Sequence, residues 1–168
     1  VTTTTHKTLR GPRGALIFAK KDLMPKIDKA VFPGLQGGPH MNAVAAIAVA
    51  LDEAMRPVFK KYAAHVVKNA KALADELKGL GWMLVAGGTD SHLILVDTVN
   101  SIGMSGGEAS TRLEKAGIIV NKNTIPFDTR SPMDPSGIRV GSAMETTKGK
   151  REKDFRAIAK KIDEILRK

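Results

Sequence analysis

The chain has 168 residues, 42% of them hydrophobic, a net charge of +10 and no cysteine. That length fits one domain, or one small domain plus part of another, and the apolar fraction supports a real core. Disulfides, zinc–thiolate sites and cysteine nucleophiles are excluded, which fits a reducing cytoplasm, and the longest apolar run, Ala43 to Leu51, is too short to span a bilayer.

The positive excess sits at the two ends. Residues 1–60 and 148–168 each carry 9 Lys/Arg against 4 Asp/Glu, whereas residues 61–147 carry 9 of each. With one Trp and one Tyr in the chain, basic and aromatic residues do not interleave as they do on nucleic-acid platforms. The charge therefore reads as a solvated basic face or a surface serving anionic small molecules, and argues against nucleic acid.

In chain order, Ala15 to Ala19 predicts a short buried strand and Leu23 to Ala30 a short helix. Val31 to Pro39, with two prolines and three glycines, reads as a loop. Asn42 to Met55 is Ala-rich with few polar groups and predicts a helix buried on most sides. Pro57 either starts a new helix or kinks a running one. Val58, Tyr62, Val66, Ala70, Leu73 and Leu77 then form one apolar stripe, stopped by Gly79 and Gly81.

Met83–Ala86 and His92–Asp97 are strand-like, with Gly87-Gly88 turning between them. Ser105-Gly106-Gly107-Glu108 fits a capping box for a helix ending near Ala116-Gly117. Ile118–Val120 predicts a strand, and Ile138–Val140 another. Between them, Asn121 to Gly137 holds three prolines and little periodicity. Loops of that length inside a domain are usually functional or disordered. Phe155, Ile158, Ala159, Ile162, Ile165 and Leu166 mark a final amphipathic helix. Strands alternating with helices give an α/β class, with α+β character in the second half: a small sheet covered by helices mainly on one face. A seam near residues 55–60 divides residues 1–57 from residues 58–168.

The chemistry concentrates at the start. Lys7 lies in a string of hydroxyls beside His6, just ahead of Gly11-Pro12-Arg13-Gly14. A lysine reacts with a carbonyl as the neutral amine, and burial together with nearby positive charge, here from Arg10 and Arg13, favours that form. By composition alone the same residues read rather as a threonine-rich strand ending in a turn with a solvated lysine. A chain that opens six residues before such a lysine is expected to be the C-terminal portion of a larger enzyme. His40, His65 and His92 lack metal-ligand spacing, so no metal site is expected.

The string Thr3-Thr4-Thr5-His6-Lys7-Thr8-Leu9-Arg10-Gly11-Pro12-Arg13-Gly14 closely resembles the cofactor-lysine segment of serine hydroxymethyltransferases. Val31-Phe32-Pro33-Gly34-Leu35-Gln36-Gly37-Gly38-Pro39-His40 is similar to that family's glycine-rich loop. Val120-Asn121-Lys122-Asn123-Thr124-Ile125-Pro126 and Ser136-Gly137-Ile138-Arg139-Val140-Gly141 resemble its C-terminal signatures. Ser142 to Gly149, with an acid at Glu145, departs from the commoner family sequence.

The resemblance implies the C-terminal part of a fold-type-I pyridoxal-phosphate-dependent transferase. Residues 1–57 would end the large cofactor-binding domain and residues 58–168 form the small C-terminal domain. It implies serine–glycine interconversion with transfer of a one-carbon unit to tetrahydrofolate, in one-carbon metabolism and glycine biosynthesis, by a cytoplasmic homodimer or tetramer. Lys7 would be the Schiff-base lysine for pyridoxal 5'-phosphate, Thr4 would assist exchange at it, and His6 and Arg13 would lie near the cofactor. Gly38 would give its backbone N–H to the cofactor phosphate across a dimer interface, since a residue without Cβ lets an anion approach. Arg139 would grip the amino-acid carboxylate with a planar fork. Asn123 and Ser131-Pro132-Met133 would contact folate, Asn offering both donor and acceptor to a pterin edge. The family's other cofactor contacts precede its lysine, so the isolated chain is expected to be inactive. A threonine aldolase or aminotransferase of the same fold type, a non-catalytic dimerisation module and a basic nucleic-acid-binding domain remain as alternatives.

Overall fold

A computed structural model describes residues 1–168, which divide into two compact units, residues 1–61 and residues 62–168. In the first unit, β1 (Thr2–Thr4) pairs antiparallel with β2 (Ala15–Ile17), Thr4 opposite Ala15. The strand predicted at residues 15–19 is present but short, and it is not buried: Ile17 and Phe18 are exposed, because β1 is its only sheet neighbour. α1 (Met24–Lys29) follows. The chain then continues through Ala30–Leu35, where helical turns are broken by non-helical backbone at Phe32 and Pro33, so the loop expected over Val31 to Pro39 is partly helical at its start and extended from Gln36.

α2 (Met41–Met55) forms where the alanine run predicts it, yet its only buried residue is Ala50. Val49 is 61% and Met55 80% exposed. The expectation of burial on most sides is corrected: helix propensity comes from the sequence of the helix, but burial needs neighbours, and within the first unit the Gly11–Gly14 loop reaches Ala50 and Ile47.

α3 (Pro57–Gly79) opens with Pro57 in its first turn, after an extended Arg56. Its stripe is buried from Val66 onward, with Ala70, Leu73 and Leu77, whereas Val58 is exposed. Beyond Gly79, Trp82 donates its backbone N–H to the Leu77 carbonyl at 3.0 Å, which ties off the helix end.

The second unit holds a four-stranded antiparallel sheet in the order β3-β4-β6-β5: β3 (Met83–Leu84), β4 (Leu93–Asp97), β5 (Asn121–Asn123) and β6 (Gly137–Gly141). Ile94 pairs with Val140 and Val96 with Ile138. These four are buried with Leu73, Leu77, Leu113, Phe155 and Ile162 in one core. Side chains alternate along a strand, so Leu95 and Arg139, which face each other in register, lie on the opposite, open side. Covering helices are α3, α5 (Gly106–Lys115) and α7 (Glu152–Leu166).

Ser105 Oγ accepts the Glu108 N–H at 3.1 Å, one half of the predicted capping box. The Glu108 carboxylate instead takes Arg112 at 2.7 Å. The strand predicted at Ile118–Val120 is absent. The Ile118 N–H is committed to the Leu113 carbonyl at 2.8 Å, closing α5, and pairing begins only at Asn121. Two five-residue helices were not foreseen, α4 (Thr98–Ile102) and α6 (Ala143–Thr147). Asp97 caps the first, accepting the Asn100 N–H at 2.9 Å. The second is fastened to α3: Ser142 Oγ donates to the Val66 carbonyl at 2.8 Å, and buried Asn69 donates to Thr146 Oγ1 at 2.8 Å. No helix is long and apolar enough to cross a membrane.

Candidate functional site

Lys7 sits on a tight excursion between β1 and β2. Thr5 N–H bonds the Gly14 carbonyl at 3.0 Å, Gly11 N–H bonds the Thr5 carbonyl at 2.8 Å, and the buried Thr5 hydroxyl donates to the Pro12 carbonyl at 2.7 Å. Arg10 N–H closes a turn on the Lys7 carbonyl at 3.0 Å. Gly11 has to be small here, since a Cβ would come within 2.9 Å of the Thr5 oxygen. Thr5 is the post of the loop and Lys7 its outward branch: the lysine side chain is exposed.

Thr4, His6 and Arg13 are brought to the same loop. Thr4 ends β1, half-buried; His6 Nδ1 accepts the Gly14 N–H at 3.5 Å; Arg13 is exposed. The Arg10 guanidinium lies over the Phe59 ring, 5.5 Å from its centroid. Gly38 lies in the irregular stretch ahead of α2, exposed.

Arg139, Asn123 and Ser131-Pro132-Met133 belong to the second unit. Arg139 is opposite Asn121 on β5, and its Nη2 lies 3.4 Å from Asn121 Oδ1. Asn123 is opposite Gly137, two residues along, so alternation puts Asn121, Asn123 and Arg139 on the open side of the sheet together. Lys122 Nζ donates to the Met133 carbonyl, drawing the 131–133 stretch to the same edge. Lys7 and its neighbours thus form one cluster, and Arg139, Asn123 and residues 131–133 a second, each in its own unit.

Glu145 is paired locally. Its carboxylate takes Lys148 at 2.7 Å and also Lys150, and these two ammonium groups hold it below the usual carboxylate range. The acid of the divergent 142–149 segment is a staple at the end of α6.

The profile of serine hydroxymethyltransferase matches residues 1–162. The chain belongs to the serine hydroxymethyltransferase family. It is 54% identical over 165 residues to the serine hydroxymethyltransferase of Acidothermus cellulolyticus, covering 98% of this chain and 38% of that protein. Against the serine hydroxymethyltransferase of Phenylobacterium zucineum it is 55% identical over 167 residues, 99% of this chain and 39% of the relative. Against that of Koribacter versatilis it is 53% identical over 167 residues, with the same shares. The chain therefore spans about two fifths of the length of these curated relatives.

Two features here suit the phosphate-bearing aldehyde cofactor that the sequence resemblance implies. Lys7 extends a primary amine into solvent from a hydrogen-bonded base. At Gly37 and Gly38 no atom stands within 4 Å of where a Cβ would be, so the backbone there is open to an anion.

Sequence reasoning missed two carboxylates of this serine hydroxymethyltransferase segment. Asp128 accepts from Ile125 N–H at 3.2 Å, Arg130 N–H at 3.0 Å, Ser136 N–H at 2.9 Å and Ser136 Oγ at 2.7 Å. These bonds, the two from Ser136 foremost, hold it far below the usual carboxylate range. Asp134 is likewise lowered, first by the Ser105 hydroxyl and then by Arg130. The one local sign was the Asp128-Thr129-Arg130 order, which suits an Asx turn onto the N–H two residues on.

Proposed function

We propose that this chain supplies the lysine-bearing C-terminal portion of an enzyme that interconverts serine and glycine and passes a one-carbon unit to tetrahydrofolate. The observation that carries the reading is Lys7, exposed on a loop fixed by Thr5 and Gly14, in a segment matched to the family from residue 1. Residues 1–57 would complete the large cofactor domain and residues 58–168 form the small one, in a cytoplasmic homodimer or tetramer.

The residues divide the labour by their chemistry. Lys7 would hold pyridoxal 5'-phosphate through its amine, and Gly38 N–H would meet the phosphate. Pyridoxal phosphate, when bound, supplies an electron sink for charge developing at the substrate α-carbon. Thr4 offers a hydroxyl for proton movement as the substrate amine exchanges with Lys7. His6 and Arg13, on the same loop as Lys7, would lie near the cofactor. Arg139 would orient the amino-acid carboxylate with two parallel hydrogen bonds. Asn123 would meet the pterin edge, with Ser131-Pro132-Met133 lining the folate.

The test joins this chain to the N-terminal portion of its Acidothermus cellulolyticus relative, loads the product with pyridoxal phosphate and follows serine-to-glycine conversion. Turnover that needs tetrahydrofolate and vanishes in Lys7→Ala is expected, with none from the isolated 168-residue chain. Turnover indifferent to tetrahydrofolate, turnover surviving Lys7→Ala, or a folded, loaded protein without turnover would each overturn the reading.

A further inference from the structure

The connection from β5 to β6, residues 124–136, has a fixed end and a free middle. Ser136 is buried, and its carbonyl accepts the Thr98 N–H at 3.0 Å, the Thr98 hydroxyl at 3.0 Å and the Val99 N–H at 3.2 Å. Pro135 accepts the Gly106 N–H at 2.7 Å. Ser131, Pro132 and Met133, by contrast, are exposed.

Asp128 bridges the two. Its Oδ2 takes the N–H groups of Ile125 and Ser136, and its Oδ1 takes the Arg130 N–H and the Ser136 hydroxyl. Four donors occupy the four lone-pair directions of the carboxylate, which leaves no acceptor capacity for a ligand or a proton in transit. What those bonds do is geometric. One fixes the residue two beyond Asn123, and another fixes the residue just before Ser131. Phe127, immediately upstream, is exposed and held at φ +59°, a backbone state that a bulky residue keeps only where its surroundings impose it. Within the free middle, Asp134 N–H closes a turn on the Ser131 carbonyl at 2.9 Å and Met133 N–H bonds Ser131 Oγ at 3.2 Å, which shape residues 131–134 internally. The ties of Lys122 to Met133 and Arg130 to Asp134 are made by exposed, flexible side chains.

We infer that Asp128 is a positioning residue for the one-carbon carrier: it sets Asn123 and Ser131-Pro132-Met133 in register for a pterin-bearing ligand without touching it. The inference rests on the folate role given to those residues under Proposed function. It separates the two substrates, because Arg139 is held by β4 and β5 pairing that does not involve Asp128.

The test uses the joined enzyme with Asp128→Asn, which keeps the shape but turns an acceptor oxygen into a donor facing donors. KM for tetrahydrofolate should rise about tenfold, while KM for serine and kcat at saturating folate stay within about twofold. Trypsin should cut after Arg130 faster than in the parent protein. Ser136→Ala, which removes one of the four bonds, should give the same split at smaller size, and it decides the matter if Asp128→Asn does not fold. If Asp128→Asn frees the loop to trypsin but leaves the folate KM alone while Asn123→Ala raises it, the positioning role falls and the proposed function stands. If Asn123→Ala also leaves that KM alone, the folate reading falls and takes this inference with it. An equal rise in both KM values, or a folate effect without faster cleavage, would overturn the positioning role.

Discussion

Trp82 donates its indole N–H to Asp163 Oδ1 at 2.8 Å, and Arg167 lies across the same ring, 5.4 Å from its centroid, with its Nε 2.6 Å from that carboxylate. The residue that follows the α3 turn is thereby pinned to the last turns of α7. Trp82 is buried, so its N–H has no water to fall back on. Asp163→Ala should cost about 1–3 kcal/mol through the orphaned indole donor, and Asp163→Asn, which keeps an acceptor, should cost less. Urea denaturation followed by the fluorescence of this single tryptophan checks both.

Gly106 and Gly137 meet backbone to backbone. A Cβ on Gly106 would stand 2.8 Å from the Gly137 carbonyl carbon and 3.1 Å from its nitrogen. Neither side can yield without breaking β6 pairing, so Gly106→Ala should destabilise the second unit by about 3 kcal/mol or more. Gly79→Ala is the control: nothing stands within 4 Å of its Cβ position, and it should be neutral or stabilising by up to about 1 kcal/mol. Circular-dichroism melts should fall sharply for Gly106→Ala and stay level or rise for Gly79→Ala.

At the proposed site, folding and binding should separate. Arg139 is exposed, so Arg139→Lys should change stability by no more than about 0.5 kcal/mol. Losing the two-pronged grip should weaken amino-acid binding by about 10- to 100-fold. Gly38→Ala meets no atom within 4 Å and should also fold normally, while cofactor affinity falls. Calorimetric titration of the joined enzyme with glycine, and then with pyridoxal phosphate, distinguishes the two effects.

Acid should unfasten the second unit through its carboxylates. Asp128, Asp134 and Glu145 are all held below their ordinary values by donors or ammonium groups of the folded state. A carboxylate depressed on folding stabilises the fold above its unfolded value, 3.8 for Asp128, and loses that contribution as pH falls toward the folded value. The urea midpoint should be level between about pH 7 and 5 and drop below about pH 4. The gap between parent and Asp128→Asn should narrow over the same acid range; a gap that widens there would contradict the assignment.

The helices and central strands of the second unit are legible in the sequence, because their apolar residues recur at one period against one core: Val66 to Leu77, Ile94 and Val96, Ile138 and Val140, Phe155 to Leu166. α2 shows the limit. Its alanines specify a helix but not what covers it, and the expected burial is absent. Ile118–Val120 looks like a strand by composition, yet a helix-closing bond to Leu113 claims its first N–H. α4 and α6 are too short for any period to register. Lys7 was legible as a motif, and its exposure matches the solvated lysine that composition alone suggests, whereas the bonds of Thr5 to Gly14 and Pro12 that fix its loop were not, since they depend on the path of residues 8–14. Asp128 escaped notice because its partners include Ser136, eight residues away, and become neighbours only when the loop closes.

β6 couples two kinds of failure. Ile138 and Val140 point into the oil and Arg139 between them points out, so a slip by a single residue would bury the guanidinium and expose its flanking aliphatics. Sequence drift in those two aliphatic neighbours therefore reaches the charged group: a replacement that loosens their seating also unsettles the aim of the arginine, so a change that first looks like weakened folding would, under the role proposed for Arg139, surface as poorer capture of a carboxylate.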